Sequence, residues 1–240
     1  MKIVHLATSL SAGAGSAALR LNTALNSIGQ DSIIVSRNEI VNKNNPNKNI
    51  EKMPKFKILE SSFVTHLQAK IFQKNKDLVT PFSIDARNYK FQLLEEADVI
   101  HIHSYYNYLS SDSLRRIIKL KKPIFFTIHD QRLFTGGCHY SRNCINFQSI
   151  CNKCPQVKRP FVKLVEKSFL KQKDLFSSVM NVELISPSKW LANFAQRASI
   201  SKNLPVHVIN NPIPKVYFET QIANKNSSDN SLRIAFVSAN

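Results

Sequence analysis

"KIVHLATSLSAGAGSAALRLNTALNSIGQDSIIVS", residues Lys2–Ser36, decides the fold. Lys2–Thr8 is a short β-rich apolar run, too brief for a lone helix and bounded by a Ser/Gly/Ala segment. The following SLSAGAGS, residues 9–16, supplies turn chemistry. Ala17, Leu21, Ala24, Leu25 and Ile28 then recur at the spacing of an amphipathic helix, and Gly29 is placed as its C-cap. DSIIVS, residues 31–36, is the next strand. Strand, loop, helix and strand in that order open a parallel α/β sheet.

The alternation continues. Strands are expected in DVIHIHS (98–104), KPIFFTIHD (122–130), VELISPS (182–188) and VHVINNP (206–212). Helices are expected in ILESSFVTHLQAKIFQ (58–73), SSDSLRRIIKLKK (110–122), KLVEKSFLKQKDLFSS (163–178) and SKWLANFAQRAS (188–199). Ser186 is the N-cap candidate of the last of these and Pro187 its first-turn proline. Residues 38–57, rich in Asn and Lys, read as a loop. The pattern implies an α/β fold, a Rossmann-like, mostly parallel sheet with helices on both faces. Residues 1–218 form this domain, with a Cys-rich loop over 135–155. Residues 219–231 read as a linker, and LRIAFVSAN, 232–240, as the first strand of a further domain.

With 43% hydrophobic and 20% charged residues, the 240-residue chain has the make-up of an ordinary globular protein. No apolar run reaches the roughly 18 to 20 residues that span a bilayer, and the N-terminus lacks the long apolar region of a signal peptide. A cytoplasmic location is expected. Lys+Arg 33 against Asp+Glu 16 gives +17, which favours anionic partners; plain solubility is the competing explanation. The lysines are dispersed and form no nucleic-acid motif, so no nucleic-acid partner is expected. A peripheral place on an anionic membrane surface fits them at least as well.

Gly13, Ala14 and Gly15 would bring backbone N–H groups to the carboxyl edge of the sheet, an anion site of the Gly-x-Gly-x-x-Ala kind with Ala18 in third place. No Gly-Lys-Ser/Thr follows, so this is not a P-loop, and a tight structural turn explains the glycines equally well. His101 and His103 share one strand face; His103, nearer the carboxyl end, is the better ligand-binding candidate. His129 and Asp130 end the next strand, where a histidine acts as base, donor or phosphate partner, or simply packs. Trp190 and Phe194, four apart, read as helix packing. Cys138, Cys144, Cys151 and Cys154 are the chain's four cysteines, spaced C-x5-C-x6-C-x2-C. A tetrahedral structural zinc is favoured, with disulfides or free thiols as alternatives and His139 as a substitute ligand.

Taken together, MKIVHLATSLSAGAGSAALRLNTAL, DVIHIHS, FFTIHDQRLFTGGCHY with its later cysteines, ISPSKWLANFA and VHVINNPIP resemble the N-terminal half of family 4 glycosyltransferases of GT-B architecture. The Cys-bearing TGGCHY segment is similar to a colanic-acid-like subgroup that builds bacterial surface polysaccharides. The resemblance implies retaining transfer from a nucleotide-sugar donor to a polysaccharide or lipid-linked acceptor, without a catalytic metal. It implies that His129 and Asp130 line the reaction centre, that Gly13, Ala14 and Gly15 approach the donor phosphates and acceptor, and that His103, Gly136 and Gly137 flank the substrate. In that family a second domain carries most of the donor pocket, so the 240-residue chain is expected to have little activity alone. The alternative is a non-enzymatic Rossmann-like module that binds a sugar, a nucleotide or a partner chain.

Overall fold

The computed structural model describes residues 1–11, 13–37, 40–41, 63, 66–67, 70–74, 77–83, 85 and 91–214. The expected linker 219–231 and strand 232–240, most of the loop 38–57 and most of the helix 58–73 lie outside the described residues.

The elements run β1 (Lys2–Ala7), α1 (Gly13–Ser27), β2 (Asp31–Ser36), β3 (Ile40–Val41), α2 (Phe91–Glu95), β4 (Val99–Ile102), α3 (Ser111–Ile118), β5 (Ile124–Thr127), α4 (Val162–Phe176), β6 (Val182–Ser186), α5 (Lys189–Arg197) and β7 (Val206–Val208). The strands form one sheet in the order β3-β2-β1-β4-β5-β6-β7. All neighbours pair in parallel except β3, which runs antiparallel on the edge beside β2 and falls where the sequence suggested only a loop. The fold is α/β and Rossmann-like.

The register assigns the two faces of the sheet. Val4 pairs with Ile33 and Ile100, and Leu6 with Val35 and Ile102. This apolar face is covered by Leu94 of α2, Leu114 and Ile117 of α3, and Val165 and Phe169 of α4, all in one core. The opposite face carries Ala7 and Ile34, against which Ala18 of α1 packs. It also carries His5, directly paired with His101. One face of the sheet is thus hydrocarbon and the other has a polar strip under α1.

That strip decides which way α1 turns. Leu21, Ala24, Leu25 and Ile28 were expected to face the core beside Ala17; instead Ala24 is exposed and Ile28 is 71% exposed. The buried residues are Gly15, Ala17, Ala18 and Asn22. Small side chains let the helix lie close to the sheet, and Asn22 meets the polar strip: Ser32 Oγ donates to Asn22 Oδ1 at 2.8 Å. Asn26 extends the clasp, donating to Ser32 O at 2.9 Å and accepting from Ser32 N at 3.2 Å. After the helix, Gly29 adopts φ +80°, the left-handed conformation of a C-terminal cap.

The start of α5 also differs from expectation. Its N-cap is Ser188, whose hydroxyl accepts from Leu191 N at 3.2 Å. Ser186 ends β6 and its hydroxyl donates to Ser188 O, so Pro187 precedes the cap and is not in the first turn. Proline favours an extended residue before it, which keeps Ser186 in the strand.

Candidate functional site

The connection after β1 leads to β2 on one side, while β4 lies on the other. The carboxyl ends of β1 and β4 therefore diverge, which is where open α/β sheets form a ligand crevice. A cavity of about 430 Å³ lies there, with Gly13, Ala14, Gly15, His103, His129 and Asp130 on its wall. Three separate strand ends thus bring six sequence candidates to one place. Gly15 is held tightly: a Cβ there would stand 1.8 Å from Ser9 O. Gly13 has no such neighbour.

Gly136 and Gly137 do not line this cavity, contrary to the expectation that they touch substrate. A Cβ on Gly136 would meet Val165 Cγ1 at 2.5 Å, and Gly137, at φ +120°, lies against the Pro81 backbone. Both glycines let the loop after β5 pack against its neighbours.

Behind the cavity runs a row of histidines. Ring centroids are 5.4 Å apart for His5 and His103, 4.1 Å for His101 and His103, and 6.0 Å for His103 and His129. Hydrogen bonds order their protons. Ser32 Oγ donates to Asn22 Oδ1, so it accepts from His5 Nε2–H at 3.0 Å. His5 Nδ1 is then a bare acceptor, and His103 Nε2–H donates to it at 3.2 Å. His103 Nδ1 is left as a buried lone pair with no partner. His101 instead pairs its Nε2 with Thr127 Oγ1 at 2.7 Å and is a satisfied core residue. His129 Nε2 is also buried and without a partner. Two ring nitrogens of cavity-lining histidines thus lack a hydrogen-bond partner within the chain.

Burial holds His5 down to about 4. Burial, reinforced by the neighbouring rings, puts His101 and His103 well below the ordinary 6.5. These rings are neutral when folded, whereas unfolded histidines take up protons near 6.5. The unfolded chain therefore gains protons first as pH falls. Their stabilisation is complete above 6.5 and declines toward pH 4, by up to about 1.4 kcal/mol per pH unit for each ring. Urea midpoints at pH 7 and pH 5 should show this loss, and His5→Asn should flatten it; equal midpoints for the unsubstituted chain would contradict it.

Asp130 is fixed on both oxygens. Oδ1 accepts from Arg132 N at 2.8 Å and Oδ2 from His139 Nδ1 at 2.7 Å. Burial alone would raise its pKa, but the His139 hydrogen bond and charge, with the Arg132 N–H, hold it below the usual carboxylate range. His139 Nε2 meets Thr80 Oγ1 at 3.0 Å. With both ring nitrogens engaged, His139 supports Asp130 and does not substitute for a cysteine at a metal. Arg132 is a cavity residue that sequence reading missed. It is 5% exposed, stacks 4.7 Å over the Tyr105 ring, and donates from Nε to Thr80 Oγ1, while Nη1 has no partner. Its only sequence signal was a basic residue two positions beyond Asp130.

The four cysteines are free thiols, and all of them line one separate cavity of about 10 Å³. That is about the space of one water-sized sphere. Among the described residues the group of metal-type donors within 4.8 Å of one another is His5, His101 and His103, so the thiols surround their cavity at wider spacing. Burial pushes Cys138 and Cys151 up to about 12, so without an ion they hold their protons.

No helix among the described residues is long and apolar enough to cross a membrane. Comparison of the sequence with family models and with curated proteins finds no significant match.

Proposed function

We propose that this chain is the acceptor-side domain of a retaining, nucleotide-sugar-dependent glycosyltransferase that acts on a polysaccharide or lipid-linked acceptor. The observation that carries the reading is the convergence of Gly13, Ala14, Gly15, His103, His129 and Asp130 on one cavity at the sheet's switch point. There the Gly-rich turn lets backbone approach a phosphate or sugar. His129 lines that cavity at the end of its strand, where the reacting groups would sit. Asp130, locked by His139 and Arg132, positions the strand end beside it. The second domain of this architecture would bring the donor nucleotide. The net charge of +17 suits a peripheral place on an anionic membrane face, and the dispersed lysines form no nucleic-acid motif. Cys138, Cys144, Cys151 and Cys154 would hold a structural zinc, apart from the chemistry.

The test is sugar transfer by the gene product, with a panel of nucleotide-sugars and with or without anionic vesicles. His129→Ala should lower kcat about 100-fold, the cost of losing one polar group at a reacting centre. Failure to consume any donor would sink the reading. The second reading is a non-enzymatic Rossmann-like module that binds a sugar, a nucleotide or a partner chain. It predicts ligand binding without turnover.

A further inference from the structure

A second cleft, of about 360 Å³, lies between Tyr140 and Trp190, with Phe194 on its wall and Gln131 and Ser141 beneath. Trp190 packs on Phe194 as expected, yet it is 56% exposed, and Tyr140 is 54% exposed. Exposed aromatics are commonplace singly; two facing one polar-floored cleft are a ligand platform in form. The walls are fixed before any ligand arrives. Trp190 lies 4.7 Å from Phe194, which packs 5.7 Å from the buried Phe147. Gln156 Nε2 donates to Tyr140 O at 2.6 Å, and Ser141 N donates to Gln131 Oε1. Arg142 is pinned to Asp77 at 2.6 Å.

Two further observations point to a polar-edged ligand. Ser141 is 2% exposed and its hydroxyl has no partner. Tyr140 also lines the larger cavity, so the two spaces share a wall. A ligand with one flat C–H face and a rim of hydroxyls satisfies both features: the face lies on the aromatic rings and the rim meets the polar floor. We propose that this cleft is a saccharide subsite that holds a pyranose unit of an oligosaccharide acceptor next to the reaction cavity. The proposal rests on the reading of this chain as an acceptor-binding domain, and it narrows the acceptor to a chain longer than one sugar.

Trp190 is the only tryptophan of the chain, so its emission reports the cleft directly. The 240-residue protein is titrated with cellotetraose, chitotetraose and tetragalacturonate, with UMP as the nucleobase probe. A saturable emission change with at least one tetrasaccharide is expected, and none with UMP. Tyr140→Ala should weaken that binding about ten-fold without moving the melting temperature, since Tyr140 is exposed. No saturable change with any tetrasaccharide, or a change with UMP alone, overturns the subsite. The two readings fail separately. If His129→Ala lowers transfer by the gene product about 100-fold but Trp190→Ala leaves the acceptor KM unchanged, the subsite falls and the transferase stands. Tetrasaccharide binding at Trp190 in a product that transfers nothing keeps the subsite and removes the transferase.

Discussion

Gly15→Ala is expected to destabilise the protein by about 3 kcal/mol or more, while Gly13→Ala leaves it within about 0.5 kcal/mol of the parent. The two glycines stand two residues apart in the same turn, and sequence alone treats them alike. At Gly15 a methyl group would sit 1.8 Å from Ser9 O and 2.7 Å from Leu10 Cα. Both obstacles are backbone, so no rotamer change relieves them. Either the Ser9–Leu10 turn moves or α1 lifts from the sheet. Lifting α1 would break the Asn22–Ser32 and Asn26–Ser32 contacts and unseat Ala18 from Ala7 and Ile34. The cavity wall would move with it, so ligand binding should fall along with stability. Urea midpoints of the two variants at constant slope decide the matter. Equal midpoints would show that the turn has slack that the packing denies.

The second large effect concerns the segment between β5 and α4. Residues 138–154 contain one short 3-10 turn, Asn146–Gln148, and few buried apolar side chains besides Phe147 and Cys151. A segment with so little hydrocarbon needs another source of order, and the structural zinc proposed above would supply one. Protein refolded with equimolar zinc should retain one ion per chain by mass spectrometry. Removing it with a strong chelator, or replacing Cys138 and Cys151 together by serine, should cost about 4 kcal/mol and roughly 10 °C in Tm. Much of that loss would come through the loop's neighbours. Cys151 packs against Gly136, and Gly137 N–H and Cys138 O are both bonded to the Thr135 hydroxyl, so disorder there spreads toward Gln172 of α4, which donates to Thr135 O. Loss of stability under a thiol reductant, in protein that holds no zinc, would instead assign the cysteines to disulfides.

Several features of the site could be read before any coordinates. The alternation of a β-rich run, a glycine turn and a helix at Lys2–Ser36 requires only local periodicity, and it led directly to a parallel sheet. His103 and His129 were recognisable because a residue just past a parallel strand sits at the crevice whatever its neighbours are. The clustering of all four cysteines in one loop was equally visible, and it placed them around one cavity.

What sequence reading missed depends on partners distant along the chain. The buried face of α1 went to Asn22 rather than to Ile28 because Ser32, ten residues away, offers a hydroxyl to be satisfied. His5 looked like one residue of an apolar strand until His103, 98 residues later, was placed beside it. Arg132 is confined by Thr80, 52 residues earlier. By itself the sequence determined the layers, the strand order's parallel character and the positions of chemistry at strand ends, since these follow from periods of two and 3.6 residues. Only the tertiary structure decided which polar groups are satisfied and which are left open, because a buried hydrogen bond is settled by whatever partner the fold brings within about 3 Å.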